Sequence, residues 1–133
     1  EELRYLSRML PVDVGLCPLV PKRNTPLWGV PFIGVKESDR RLKRLRKGLA
    51  GRGAIRPVSS RWAWIESVLA RGGVEVGEAM VGIARSGGRF ADYRKVFAEL
   101  GYFPDGRVGQ DHAPVGVDGG LPYGVLGREV QGE

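Results

Sequence analysis

A short polar loop between two prolines is the segment of this chain whose residue types best suit binding chemistry. Residues 21–26 read PKRNTP and follow a mostly apolar run of strand length at residues 12–20. The prolines stiffen the backbone that presents Lys22, Arg23 and Thr25. A strand that ends in a rigid polar loop is typical of the open end of an α/β sheet or barrel, where ligands bind beyond the carboxyl ends of the strands. The plainer alternative is a strand followed by a surface turn.

Other residues with reactive side chains are few and isolated. Cys17 is the single cysteine, so it alone cannot hold a zinc ion or an iron–sulfur cluster, and we expect it to be a small core residue of the strand. His112 follows Asp111 and is either an acid/base group or a hydrogen-bonded structural histidine. Glu66 and Glu78 are expected to be surface or salt-bridge residues, because nothing places them in one pocket.

Composition limits the class of protein. The chain has 133 residues, enough for one domain with a core but short for a complete α/β barrel enzyme. The formal charge of +6 favours polyanionic partners such as RNA without requiring them. No run approaches the roughly 18 apolar residues that a membrane-spanning helix needs, and the lone cysteine fits a reducing compartment. We therefore expect a cytoplasmic protein with no membrane partner.

The elements that must position the loop are read from apolar spacing. A helix is predicted to lead into the strand at residues 12–20, and a second short strand with Pro57 is predicted at the edge of a sheet. A tail rich in glycine and proline follows from Gly101. The pattern predicts further helices at residues 37–50, 61–71, 74–85 and 90–100.

Spacing also predicts which side of each helix faces the core. In the helix at residues 61–71, the inward stripe is expected to hold Trp62, Ile65, Val68 and Leu69. The helix at residues 37–50 is expected to start at a cap formed by Ser38 or Asp39, with its leucines inward and its basic residues outward.

Four blocks, in order along the chain, resemble the carboxyl-terminal part of radical S-adenosylmethionine proteins, the group often fused to a B12-binding-like domain. They are residues 19–31 (LVPKRNTPLWGVP), 41–49 (RLKRLRKGL), 59–73 (SSRWAWIESVLARGG) and 111–117 (DHAPVGV). Leu126 and Glu129 extend the last block. Together the blocks cover nearly the whole chain.

The chain departs from the family pattern at particular positions. Arg23 stands where the family usually has a proline, Gly73 where it has an aspartate, and Gln110 where it has a tryptophan. Extra residues also lie between Val117 and Leu126. These changes fall at the loop, at the end of a helix block and in the tail.

The resemblance implies a fold and a division of the chain. Residues 1–58 would be the terminal strand and helix of a partial (β/α) barrel, residues 59–101 a helical accessory region, and residues 102–133 an irregular tail. It also implies S-adenosylmethionine and a 4Fe-4S cluster held on a Cys-x3-Cys-x2-Cys loop, with cobalamin as a further possibility. That loop is missing here, so we expect the polypeptide to continue upstream into the missing amino-terminal half of the barrel, and this chain alone not to be catalytic.

The resemblance also suggests roles for particular residues. At the barrel mouth, Lys22 would meet an anionic group, Thr25 would donate a hydroxyl hydrogen bond, and Trp28 would stack or exclude water. Their ordinary alternatives are a solvated lysine, a turn-capping threonine and a core tryptophan.

Two alternatives of other classes stay open. One is a freestanding basic α/β module that binds RNA through Arg40, Arg44 and Lys47, although a basic helix face is usually just solvated. The other is a structural or interaction domain whose strand completes a partner's sheet. No catalytic residue and no metal ligand is assigned.

Overall fold

A computed structural model describes residues 2–51 and 53–107 and shows a mixed α/β chain that is mostly helical. The two strands come early, and a run of three helices ends the described part. The elements are α1 (Glu2–Met9), β1 (Asp13–Leu16), α2 (Val35–Gly48), β2 (Ala54–Pro57), α3 (Ser60–Arg71), α4 (Val74–Arg85) and α5 (Phe90–Glu99).

The two strands form a small parallel sheet. Asp13 pairs with Ala54 and Leu16 with Pro57, and α2 lies in the crossover that a parallel connection requires. The ladder closes where the Val58 N–H donates to the Leu16 carbonyl at 2.8 Å. β1 is much shorter than the predicted strand at residues 12–20, because Pro18 has no N–H to continue a ladder.

Burial alternates along these strands. Val14, Leu16 and Ile55 are half-buried, whereas Asp13 and Arg56 on the alternate face are exposed. One face of the sheet is therefore half-buried, and the other is open to solvent.

Cys17 lies just beyond β1 and is exposed. Its predicted place in the core is wrong, because the strand ends before it and nothing in the described chain covers that position.

The core lies among α3, α4, α5 and the segments flanking α2. Trp64 is 1% exposed and packs edge-on against Phe90 and Phe97, with ring centroids 5.7 Å apart in each pair. Ile83 and Val76 are buried from α4. The remaining buried apolar residues are Phe32, Ala63, Ile65, Val68 and Tyr102.

The orientation of α3 differs from the prediction. Trp62 and Leu69 are 52% and 43% exposed, so the inward stripe is centred on Trp64 and Val68 instead. α3 packs against α2, α4 and α5 together, which buries a wide face that a single three-and-four spacing cannot locate. Trp62 still contacts the Tyr93 ring edge-on at 5.7 Å.

α2 begins earlier than the sequence suggests. Gly34, at φ 89°, is its N-cap, and Ser38 is buried inside the helix, so the predicted cap at Ser38 or Asp39 is wrong. A Cβ on Gly34 would lie 2.6 Å from the Asp105 carbonyl oxygen, and the Val35 N–H donates to the Pro104 carbonyl at 2.7 Å. The segment at residues 104–106 thus fixes the start of α2.

None of the helices within residues 2–51 and 53–107 is long and apolar enough to cross a membrane.

Candidate functional site

The predicted polar loop follows the carboxyl end of β1 and is anchored at both ends. Pro21 is fully buried, and Val20 packs against the helical core. The Trp28 N–H donates to the Thr25 carbonyl at 3.0 Å, which closes a turn in the loop. Asn24 holds φ at 60°, a conformation that asparagine tolerates better than most residues. The loop therefore has a defined shape.

Lys22 reaches from this loop to α3. Its Nζ pairs with the Glu66 carboxylate, and the two side chains are 47% and 55% exposed. An exposed pair of this kind stabilises a fold by about 0–1 kcal/mol. The pairing confirms Glu66 as a salt-bridge residue and gives Lys22 a partner within the chain, while half of the lysine surface stays open to solvent.

The Thr25 hydroxyl is used inside the loop. Its Oγ1 donates to the Lys22 carbonyl at 2.7 Å. This is the turn-capping geometry, and it ties the two candidate residues into one turn. A ligand bound by Thr25 would meet the hydroxyl oxygen as an acceptor in this state.

Arg23 contacts the Trp28 ring and also reaches α3. The Arg23 guanidinium lies 5.3 Å from the centroid of the half-buried Trp28 ring, within cation–π range. Its Nη2 donates to the Arg71 carbonyl at 3.4 Å, and Arg71 Nη2 donates to the Val30 carbonyl. Arg23 is therefore part of the link between the loop and α3.

A crevice beside this link was not anticipated from the sequence. It is small and partly open to solvent. Its lining residues are Phe32, Trp64, Ser67, Val68, Arg71, Tyr102, Phe103, Gly106 and Arg107. They come from three separated segments, so no local motif could have revealed it.

Arg71 and Tyr102 are the crevice residues whose pKa values are shifted by burial. Burial lowers the pKa of Arg71, and the nearby Tyr102 opposes that effect. Burial also raises the pKa of Tyr102; Glu75 adds to this shift, and Arg71 and Arg23 counteract it. Arg71 Nε is buried with no hydrogen-bond partner among the described residues. Arg71 donates to the Val30 carbonyl and accepts a hydrogen bond from Arg23, so its main role in this small crevice is to connect the loop segment to α3.

The residues predicted to contact RNA lie on α2, the first helix after the loop. Glu37 accepts hydrogen bonds from Arg40 Nε and Nη2 and from Arg41 Nε, each at 2.7 Å. The Arg40 and then the Arg41 hydrogen bonds lower the pKa of Glu37 to about 2. Arg44 and Lys47 are exposed and make no ion pair with any residue that the structure describes.

No metal site is present among the described residues, where no group of histidine, cysteine, aspartate and glutamate side chains is arranged to hold an ion. The chain's one cysteine does not fit a cluster that needs three thiolates. Asp111 and His112 lie outside the described residues, as does the rest of the predicted tail beyond Arg107.

No family model matched the chain, and neither the curated proteins nor the solved structures gave a match. Function is therefore inferred from the residues and their geometry.

Proposed function

We propose that this chain contributes the last strand, the mouth loop and the accessory helices of a radical S-adenosylmethionine enzyme's partial (β/α) barrel. The observation that carries the proposal is a pair of parallel strands with one exposed face and a rigid polar loop at the carboxyl end of the first strand. Parallel sheets are normally covered on both faces and contain more than two strands. The pair therefore suits a place in a larger parallel sheet. The four sequence blocks that resemble radical S-adenosylmethionine proteins suggest that this sheet is their partial barrel.

Helix α1 supports the same conclusion. Tyr5, Leu6, Met9 and Leu10 are exposed by 66%, 44%, 65% and 64%, although they fall on adjacent turns of one amphipathic helix and its end. In α/β proteins the helix that precedes a strand covers part of the sheet. A neighbouring strand and helix would cover these side chains.

The two faces of the sheet suit different environments. The half-buried residues Val14, Leu16 and Ile55 suit the side of the crossover helix, because crossover helices lie outside a barrel. The other face carries Asp13 and Arg56, which pair at 2.8 Å and are exposed. A small polar face of this kind suits the interior, where a polar cofactor and substrate bind.

In this arrangement the loop forms a shaped wall at the barrel mouth. About half of the Lys22 side chain stays open to solvent, so an anionic ligand group can share its ammonium group with Glu66. Thr25 and Trp28 define the turn beside it. The S-adenosylmethionine and the 4Fe-4S cluster would be held by residues outside this sequence, and cobalamin rests on the resemblance alone.

The proposal is tested by the complete reading frame that contains this chain. We expect it to encode a Cys-x3-Cys-x2-Cys loop before the Glu1 codon, and its protein to bind iron and sulfide after anaerobic reconstitution. A control protein in which the three cysteines are replaced by alanine should bind neither. A start codon immediately before Glu1, or a full-frame protein without that loop, would contradict the proposal.

The exposed surfaces give a second test on the isolated chain. We expect self-association by size-exclusion chromatography with light scattering, because the two-stranded sheet leaves strand edges unpaired among the described residues and α1 leaves apolar surface uncovered. Tyr5→Lys with Met9→Lys should reduce it, whereas the matched control Val74→Lys with Val81→Lys, on exposed positions of α4, should not. A monomeric wild-type chain that melts cooperatively would count against an incomplete sheet.

A further inference from the structure

Helix α2 carries an uninterrupted basic stripe on its solvent side. At 3.6 residues per turn, its members fall within an arc of about 100°. All of them are exposed, and no acidic residue lies among them in this arc. The residues of this basic stripe are Lys36, Arg40, Lys43, Arg44 and Lys47.

The stripe stands opposite the side by which α2 packs on the protein. Ser38 is 2% exposed, and Leu42 and Leu49 are half-buried on that inner side. The packing fixes the rotation of the helix, so the charges face solvent together instead of being spread around it.

Most of this charge is not neutralised within the described chain. Glu37, at one margin of the stripe, binds Arg40 and also Arg41, which lies outside the stripe. The other members of the basic stripe make no ion pair with any described residue. Asp39, at the other margin, makes none either. A row of available cations therefore remains, consistent with the chain's formal charge of +6.

We propose that the basic stripe binds the sugar–phosphate backbone of a nucleic acid. From Lys36 to Lys47 it extends about 16 Å along the helix, and successive cations four residues apart are separated by a rise of about 6 Å. A nucleic acid strand carries one charge about every 3.4 Å of its axis, so several phosphates lie within reach. The stripe contains no aromatic residue for base stacking, so recognition is by charge and not by sequence.

An acidic membrane is a poorer match for this surface. A helix that binds a bilayer surface inserts a free apolar face between the head groups. The apolar side of α2 is turned toward the protein, and Leu45, although 48% exposed, lies across the helix from the stripe. A hydrophilic polyanion needs no such insertion. The inference does not depend on the proposed enzymatic role of the chain.

The expected salt dependence of the binding affinity follows from counterion release. With four available cations, the slope of log affinity against log salt is about −3 for a single strand. Affinity should then fall roughly 50-fold between about 50 and 200 mM salt. Each phosphate contact of a single strand contributes about −0.7 to the slope. A variant that keeps one of the four cations should therefore have a slope close to −1 by the same relation, on the order of one contact.

The experiment measures fluorescence anisotropy of labelled single-stranded RNA and DNA with the whole 133-residue chain at increasing salt. The test variant is Lys43→Gln, Arg44→Gln and Lys47→Gln. The control variant removes the same charge from exposed positions of α4 and α5, as Arg85→Gln, Arg94→Gln and Lys95→Gln. Arg40 is left intact because its loss would remove two of the hydrogen bonds that Glu37 accepts.

The outcomes separate clearly. Salt-dependent binding of RNA, DNA or both, lost at least 10-fold in the test variant and kept in the control, supports the proposal. A further variant, Lys43→Arg with Lys47→Arg, should retain binding, which shows that charge and not the identity of the side chain is needed. Absence of nucleic-acid binding at low salt or equal loss in both triple variants would overturn it. So would binding to phosphatidylserine vesicles but not to nucleic acid, measured by co-sedimentation with the same protein. Circular dichroism confirms that each variant keeps its helices.

Discussion

The two tryptophans of α3 provide a sharp test of how that helix is oriented. Trp64 is 1% exposed and contacts Phe90 and Phe97, whereas Trp62 is 52% exposed and contacts Tyr93. Replacing a buried tryptophan by alanine costs about 3–5 kcal/mol, because transfer free energy is lost and a cavity remains. Trp62→Ala should cost roughly 1 kcal/mol, since half of its surface is already in water.

Urea unfolding followed by far-ultraviolet circular dichroism measures both changes in the free energy of unfolding. A domain of this size has only about 5–15 kcal/mol to lose, so Trp64→Ala can leave too little folded protein to measure. Trp64→Phe, which leaves a smaller cavity, keeps the comparison possible and should still destabilise more than Trp62→Phe. Equal losses at the two positions, or a larger loss at Trp62, would show that α3 is rotated as its apolar spacing suggested.

Three further predictions concern the loop, α2 and the turns that hold them. A double-mutant cycle on Lys22 and Glu66 should give a coupling free energy of no more than about 1 kcal/mol, because both side chains are half exposed; a value above about 2 kcal/mol would contradict the exposed pairing. Hydrogen bonds from Arg40 and Arg41 lower the pKa of Glu37 to about 2 from an ordinary 4.5. The contribution of Glu37 to the free energy of unfolding is therefore complete above pH 4.5 and is lost as the pH falls toward 2. Carboxyl resonances followed by NMR should show this low pKa, and a titration near 4.5 would refute the ion pairs. Gly106→Ala should destabilise by at least about 1–3 kcal/mol in thermal or urea unfolding, because φ is 88° and a Cβ would overlap the Phe32 carbonyl oxygen. The control Gly77→Ala, in an open helical position of α4, should stabilise by about 0.5–1 kcal/mol. A change of the same sign in the free energy of unfolding for both variants would contradict the positive φ and close packing at Gly106.

The sequence predicts the order and type of the elements well because helix and strand periods are local properties. α4 occupies Val74–Arg85 and α5 occupies Phe90–Glu99, within one residue of the expected bounds. Glycines after α3 and before α5 punctuate these helices, and such signals are read from neighbouring residues alone.

Orientation and burial are predicted less well because they depend on distant contacts. The rotation of α3 is set by three helices at once, so Trp62 was assigned inward and Trp64 was not. The start of α2 depends on Pro104 and Asp105, about 70 residues farther along the chain. Cys17 was expected as a core residue of a strand over residues 12–20, whereas the ladder ends before it and Cys17 is exposed.

The position of the polar loop after β1 was predicted, but its contacts with α3 were not. The polar loop does follow β1, and Thr25 does cap its turn. The loop is attached to α3 through Glu66 and Arg71. These contacts depend on which helix packs next to the loop, and no local sequence pattern shows that.

The central claim is tested most directly by the release of 5′-deoxyadenosine from S-adenosylmethionine by the full-frame protein under reducing, anaerobic conditions. We expect release by the intact protein and a strong loss when residues 21–28 are replaced by a glycine–serine linker of equal length. The same protein with Val74→Lys, remote from the loop in sequence, should keep its activity. Full activity after loss of the loop would contradict its place at the barrel mouth, and no 5′-deoxyadenosine from an iron-loaded intact protein would contradict the radical assignment itself.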